Sequence, residues 1–142
     1  MAERFLIDSN VVLDIVTRDA EWYAWSAAAL LECGLAGELV INPIVYAELA
    51  AGFSRIEDLD EQLAGFGRMD LPWAAGFAAG HAFREYRSRG GERRSPLPDF
   101  YIGAHAALLG MTLVTRDRRR FAGAFPTLRI VAPNASRTSP YH

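Results

Sequence analysis

Lysine is absent from this chain of 142 residues, and cysteine occurs once, at Cys33. Without lysine there is no Walker-type phosphate loop, and a phosphoryl-accepting receiver domain would lack its late lysine. A single thiol cannot form a disulfide within the chain, which fits a reducing cytoplasm. Cys33 lies in an apolar helical stretch with no nearby His, Asn or second Cys, so it reads as core packing rather than as a nucleophile. No apolar run approaches the roughly 20 residues needed to cross a bilayer. Met-Ala-Glu-Arg leads straight into a short strand, so neither an anchor nor a leader is expected. No Gly-x-Gly-x-x-Gly follows that strand, which removes dinucleotide binding. Asp8-Ser9-Asn10 also lacks the second aspartate that a phosphoaspartate hydrolase would use as its acid and base. Repeats and low-complexity tracts are missing too. What remains is 51% hydrophobic, enough for one domain that buries roughly 68–70% of its unfolded surface without a disulfide or structural metal. The expectation is a cytoplasmic single domain over residues 1–134 and a polar, flexible tail over 135–142.

The charges that are present are unevenly spread. All 15 basic residues are arginine, and nine of them lie between Arg84 and Arg120 against four acids, a local balance of +5. The rest of the chain carries −7. Arginine suits bidentate contact with phosphate. The run from Arg84 to Arg94 alone reads as a solvated helix face and loop, and it gains meaning from the acids beside it.

Short apolar runs alternate with helical patterns. Strands are expected over Arg4–Ile7, Leu39–Ile41, Met69–Leu71, Thr112–Thr115 and Leu128–Val131. Helices are expected over Asn10–Val16, Glu21–Leu35, Pro43 to about Phe53, Ile56–Phe66, Trp73 to about Arg89, and onward from Pro98. Asn10 and Asn42 stand as helix caps. This alternation argues for a parallel sheet in a three-layer α/β/α sandwich.

Four acids then stand out: Asp8, Glu48, Asp99 and Asp117. Asp8 closes Phe5-Leu6-Ile7 and Asp117 follows Leu113-Val114-Thr115, so both stand at the carboxyl edge of the sheet, where open α/β sheets bind ligands. Taken singly, each has a structural explanation. Asp8 could cap a helix, Asp99 could answer a helix dipole, Asp117 could serve a turn, and Glu48 among apolar neighbours would need a partner if buried. Taken together they form a set of carboxylates that cannot all ionise without a counter-charge. Mg²⁺ or Mn²⁺ answers that need, since hard cations take carboxylate and water ligands. Beside a phosphodiester such an ion polarises the phosphoryl oxygen, activates water and steadies the leaving oxygen.

At these residues the chain resembles the PIN-domain ribonucleases, and within them the VapC-type toxins of toxin–antitoxin modules. The resemblance is carried by Ile7-Asp8-Ser9-Asn10, by Asn42-Pro43-Ile44-Val45-Tyr46-Ala47-Glu48-Leu49, by Leu97-Pro98-Asp99-Phe100-Tyr101-Ile102-Gly103-Ala104-His105-Ala106, and by Leu113-Val114-Thr115-Arg116-Asp117 with Phe121. It implies a PIN-like sandwich on a five-stranded parallel sheet and a Mg²⁺- or Mn²⁺-dependent endoribonuclease acting on RNA such as tRNA or rRNA. It further implies a homodimer, and a cognate antitoxin whose C-terminal segment enters the acidic pocket. Asp8 and Asp99 would be the main metal ligands. Asp117 would hold the metal or a second ion, often through water, and Glu48 would orient or deprotonate the attacking water. Ser9, Asn10 and Thr115 match positions that orient the acids. Arg116, Arg118 and Arg119 are candidates for RNA phosphate contact. His105 falls six residues after Asp99, about 240° round a helix, and reads as a satisfied packing histidine. Trp22, Trp25, Trp73 and Phe77 read as core or dimer surface. The competing readings are a non-catalytic PIN-fold RNA-binding protein, a housekeeping PIN nuclease without an antitoxin, and a DNA flap- or exonuclease of related fold, for whose extra DNA-binding elements the chain has no room.

Overall fold

Neighbouring residues on the central strands are all buried, and that pattern decides the architecture. Leu6 and Ile7 in one strand and Leu113 and Val114 in another are each 0% exposed. Successive strand residues point to opposite faces, so helices must cover both sides of the sheet. Burying each such side chain contributes roughly 1.5–3 kcal/mol relative to leaving it exposed. The structure, a computed structural model, describes residues 3–90 and 97–134. Arg93, Arg94, Ser95, Pro96 and the expected tail over 135–142 lie outside the described residues.

The chain runs β1 (Glu3–Ile7), α1 (Ser9–Val16), α2 (Tyr23–Ala36), β2 (Gly37–Ile41), α3 (Pro43–Ala50), α4 (Ile56–Gln62), β3 (Gly67–Arg68), α5 (Trp73–Ser88), α6 (Leu97–Leu109), β4 (Thr112–Val114), α7 (Arg119–Ala122) and β5 (Ile130–Val131). The five strands are all parallel and lie in the order β3-β2-β1-β4-β5, which makes the fold a three-layer α/β/α sandwich. The chain builds outward from β1 in one direction through β2 and β3, then crosses to the other side of β1 for β4. The reversal point lies between β1 and β4, and open α/β sheets bind ligands outside the strands' carboxyl ends at such a point. Among the described residues no helix is long and apolar enough to cross a membrane.

Several boundaries differ from the sequence expectation, each for a local reason. The first helix begins at Ser9, so Asp8 and not Asn10 is its cap, its side chain accepting the Ser9 N–H. The third strand is Gly67–Arg68 rather than Met69–Leu71; Met69 N–H still donates to Ile41 O at 2.9 Å, after which the chain leaves the sheet through Asp70, Leu71 and Pro72. Gly37 opens β2 because a Cβ there would meet the Glu3 carbonyl oxygen at 2.1 Å. A short helix, α7, was not foreseen. It is seated by Phe121, fully buried in the main core. Beyond it Phe125 presses on α6 at Gly103, where a Cβ would meet the ring at 2.5 Å. Trp25 packs against the main core, while Trp73 and Phe77 stand exposed on α5.

One polar tie joins the layers. Asn42 caps α3 by accepting the Val45 N–H at 3.0 Å, which fixes the orientation of its amide. Its Nδ2 then faces His105 Nδ1 at 3.0 Å as a donor, so the imidazole proton must sit on Nε2. That Nε2 is buried and has no partner among the described residues. The expected satisfied histidine is therefore only half satisfied, because its one ring acceptor is committed to Asn42. Burial holds the His105 pKa below its ordinary value of 6.5. A lowered folded pKa contributes stability that is full above the unfolded value and is lost as pH falls. Urea unfolding between pH 7.5 and 5.5 should therefore show wild type losing more stability than His105→Gln. Equal losses in the two proteins would show that His105 does not stay neutral in the folded state.

Candidate active site

The β1–β4 pairing continues past the strands themselves. Ile7 stands opposite Val114, and the next amide, Asp8 N–H, donates to Val114 O at 2.9 Å. Asp8 is thereby fixed beside Thr115, whose hydroxyl donates to Asp8 Oδ2 at 2.8 Å. The same hydroxyl accepts the Asp117 N–H at 3.2 Å. On the other side of Asp8, Ser9 N–H donates to Oδ1 at 2.8 Å, and the Ser9 hydroxyl donates to Glu48 Oε1 at 2.9 Å. Asn10 Oδ1 lies 3.5 Å from the Arg116 N–H, a long contact that ties α1 to the turn after β4.

Asp99, in the first turn of α6, completes the group and is buried, slightly less deeply than Asp8. It is joined to Asp8 by an arginine that had not been singled out. Arg120, on α7, donates from Nε to Asp99 Oδ2 at 3.1 Å, from Nη2 to Asp99 Oδ1, and from Nη1 to Asp8 Oδ2 at 3.3 Å. The counter-charge that these acids require is thus supplied by the chain. The sequence carries no local signal for it, since Arg120 is the last of three consecutive arginines.

The electrostatics follow from burial. Asp8 is 0% exposed, and burial pushes its pKa above the ordinary carboxyl value, with Asp99 adding to the rise and Arg120 and Thr115 opposing it. The Arg120 pKa is raised too, which for a base favours the charged form: burial disfavours its charge, yet the bond to Asp99 and the charges of Asp8, Asp99 and Asp117 outweigh that. The two directions agree once geometry is considered. Arg120 is shared, with its better bonds on Asp99, so the deeper Asp8 is only partly compensated. Burial also raises the pKa of half-buried Glu48; the Ser9 hydrogen bond opposes this, and Asp8 and Asp99 reinforce it.

Asp117 stands apart from the buried pair. It is exposed, and its Oδ1 accepts the Arg119 N–H at 3.1 Å, fixing the turn into α7. Of the arginines proposed for phosphate, Arg116 is engaged elsewhere: its Nε lies 3.0 Å from buried Asp14, without the alignment of a hydrogen bond, and its guanidinium stacks over Trp22. Ser26 donates to the same Asp14 oxygen at 2.7 Å. Arg118 and Arg119 are exposed.

All the donors between Asp8 and Asp99 are carboxylate oxygens, the ligand chemistry of Mg²⁺ and Mn²⁺. Among the described residues no three His, Cys, Asp or Glu side chains surround one point as a ready cation cage, and the position bridging Asp8 and Asp99 belongs to Arg120. The donor set fits a hard divalent cation in kind, with a guanidinium in its seat.

Three solved structures share this architecture. VapBC2 from Rickettsia felis, solved with a DNA fragment from its promoter, matches with a TM-score of 0.70 and 20% identity, covering 92% of this chain and 99% of that one. VapBC-1 from nontypeable Haemophilus influenzae matches with a TM-score of 0.68 and 19% identity, over 91% and 97% of the two chains. A toxin–antitoxin complex from Klebsiella pneumoniae matches with a TM-score of 0.65 and 22% identity, over 89% and 94%. Comparison with curated protein sequences returns no match. The PIN domain family model matches residues 5–124, a span that contains all four acids and Arg120, and the chain therefore belongs to the PIN domain family.

Proposed function

We propose that this chain is a Mg²⁺- or Mn²⁺-dependent endoribonuclease and the toxin of a toxin–antitoxin pair. The observation that carries the reading is the convergence of Asp8, Glu48 and Asp99, drawn from three distant segments, at the carboxyl edge of β1 and β4. PIN domains are generally nucleases that use divalent metal ions, and the similar structures are VapBC and toxin–antitoxin complexes, which supports a nuclease role and an antitoxin partner.

Asp8 and Asp99 would hold the ion. A bound Mg²⁺ or Mn²⁺ supplies Lewis-acid polarisation of the phosphodiester and a lowered pKa for a water. The remaining tasks fall to side chains already in place. Thr115 and the Ser9 N–H fix the Asp8 carboxylate, so its lone pairs are aimed rather than free to rotate. Ser9 also pins one oxygen of Glu48, leaving the other to orient the attacking water and take its proton. A carboxylate of raised proton affinity is the better base for that step. Asp117, exposed beside Thr115, would hold a second ion or a metal-bound water. With Arg116 engaged by Asp14, phosphate contact falls mainly to Arg118 and Arg119. A homodimer is part of the same reading.

Purified protein should cleave RNA with Mg²⁺ or Mn²⁺ and stop with EDTA. Because water rather than the ribose 2′-hydroxyl attacks, the products should carry 5′-phosphate and 3′-hydroxyl ends. A 2′,3′-cyclic phosphate would falsify this mechanism. Asp8→Asn, Asp99→Asn and Glu48→Gln should abolish cleavage, and Thr115→Val should slow it by about 10–100-fold through loss of Asp8 orientation.

Expression of the wild-type chain alone should arrest growth, whereas Glu48→Gln should be harmless. Co-expression of the adjacent open reading frame should lift the arrest. Growth unaffected by active protein would leave a housekeeping nuclease as the better account, and arrest by the inactive variant would favour a non-catalytic RNA-binding role.

A further inference from the structure

We propose that Arg120 is a built-in competitor for the divalent-cation seat: its guanidinium holds Asp8 and Asp99 together in the metal-free protein and turns into a neighbouring basic cleft when the ion binds. This rests on the metallonuclease reading above. Arg120 makes three charge-assisted bonds, two to Asp99 and one to Asp8. They engage the carboxylate oxygens that a hard cation shared by those residues would need. Ion and guanidinium therefore exclude one another on charge and on space.

Arg120 also has somewhere to go. Its side chain is 29% exposed, while those of its partners Asp8 and Asp99 are 0% and 3% exposed, so the guanidinium forms the outer wall of the acid pocket. It simultaneously lines a cleft of about 360 Å³ with Tyr86, Arg89, Phe100 and Arg119. Among the described residues no acid lines that cleft, so a third guanidinium placed there invites an anion, and an RNA phosphate is the anion that this enzyme would meet. Phosphate in the cleft would draw Arg120 outward and ease ion binding. Ion binding would release Arg120 to the phosphate in equal measure, because such coupling is reciprocal.

The alternative is that Arg120 is only a structural ion pair. Arg116 provides the internal comparison, because it pairs with buried Asp14, which also receives the Ser26 hydroxyl, and it is stacked on Trp22. A structural pair should lower stability when broken and leave ion affinity alone. Mn²⁺ binding followed by the electron paramagnetic resonance of free Mn²⁺, with thermal melts in EDTA and in Mn²⁺, separates the two cases. Arg120→Gln should bind Mn²⁺ at least about tenfold tighter than wild type, since the competing charge-assisted bonds are gone. It should melt lower in EDTA and gain more from Mn²⁺ than wild type does. Arg116→Gln should melt lower with unchanged Mn²⁺ affinity. Should Arg120→Gln fail to fold, Arg120→Lys, which keeps the charge but loses the two-pronged grip, should give an intermediate affinity. A single-stranded oligodeoxynucleotide should tighten Mn²⁺ binding by wild type, after subtraction of ions held by the oligonucleotide, and not by Arg120→Gln. Equal or weaker Mn²⁺ binding by the folded variants would overturn the competition. Tighter binding by Arg120→Gln with no oligonucleotide effect on wild type would overturn the move into the cleft. Absence of Mn²⁺ binding by every protein would overturn the metallonuclease reading itself.

Discussion

The site depends on one pairing, the parallel register of β1 against β4. Once Ile7 stands opposite Val114, the Asp8 amide has only the Val114 carbonyl to reach, and Thr115 is committed to the Asp8 carboxylate. A slip of one residue would turn every side chain of the strand to the other face. That would set Ile7 at the pocket and drive a charge into the main core. The apolar burial of Leu6, Ile7, Leu113 and Val114 that stabilises the sheet thus also fixes the position of the acid. Fold and site share one constraint.

The second constraint is charge in a poorly solvated place. Asp8, Asp14 and Asp99 are all buried, and taking a carboxylate out of water is expensive unless it is paired and hydrogen-bonded. Asp14 and the Asp8–Asp99 pair each receive an arginine from the same short segment, Arg116 and Arg120 respectively. The turn after β4 therefore balances charge on both sides of α1, and Phe121 anchors it in the main core. The local excess of arginine is partly spent inward, on neutralising the interior.

This explains what the sequence revealed and what it concealed. The sheet was readable because its strands are continuous apolar runs between helical periods, and Asp8 and Asp117 were readable as residues that end such runs. Glu48 and Asp99 could be proposed because acids beside Val45 and Leu49 or behind Pro98 invite a reason. Helix and strand ends were less legible: Asp8 outcompeted Asn10 as a cap only because its amide is held by β4, a tertiary contact. Arg120 was illegible for a similar reason. In a run of three arginines nothing local distinguishes the one that points inward, and only the seating of α7 by Phe121 and Phe125 makes that choice. His105 was readable as buried, but the commitment of its ring acceptor to Asn42 depends on two segments 63 residues apart.

An acid cluster suited to a cation must also persist when the cation is absent. With only repulsion between Asp8 and Asp99, the metal-free protein would tend to protonate or open there. A tethered guanidinium avoids both outcomes, because it is always charged, cannot diffuse away, and offers a planar fork to two carboxylates at once. The same grip changes what a protein inhibitor would face. A basic side chain entering this pocket from a partner would meet a seat already filled by Arg120. It would have to displace that arginine or hold it in place, and only the first needs strong new bonds to Asp8 and Asp99. On the metallonuclease reading, the position of one residue three places past Asp117 would thus bear on metal loading, substrate engagement and inhibition together.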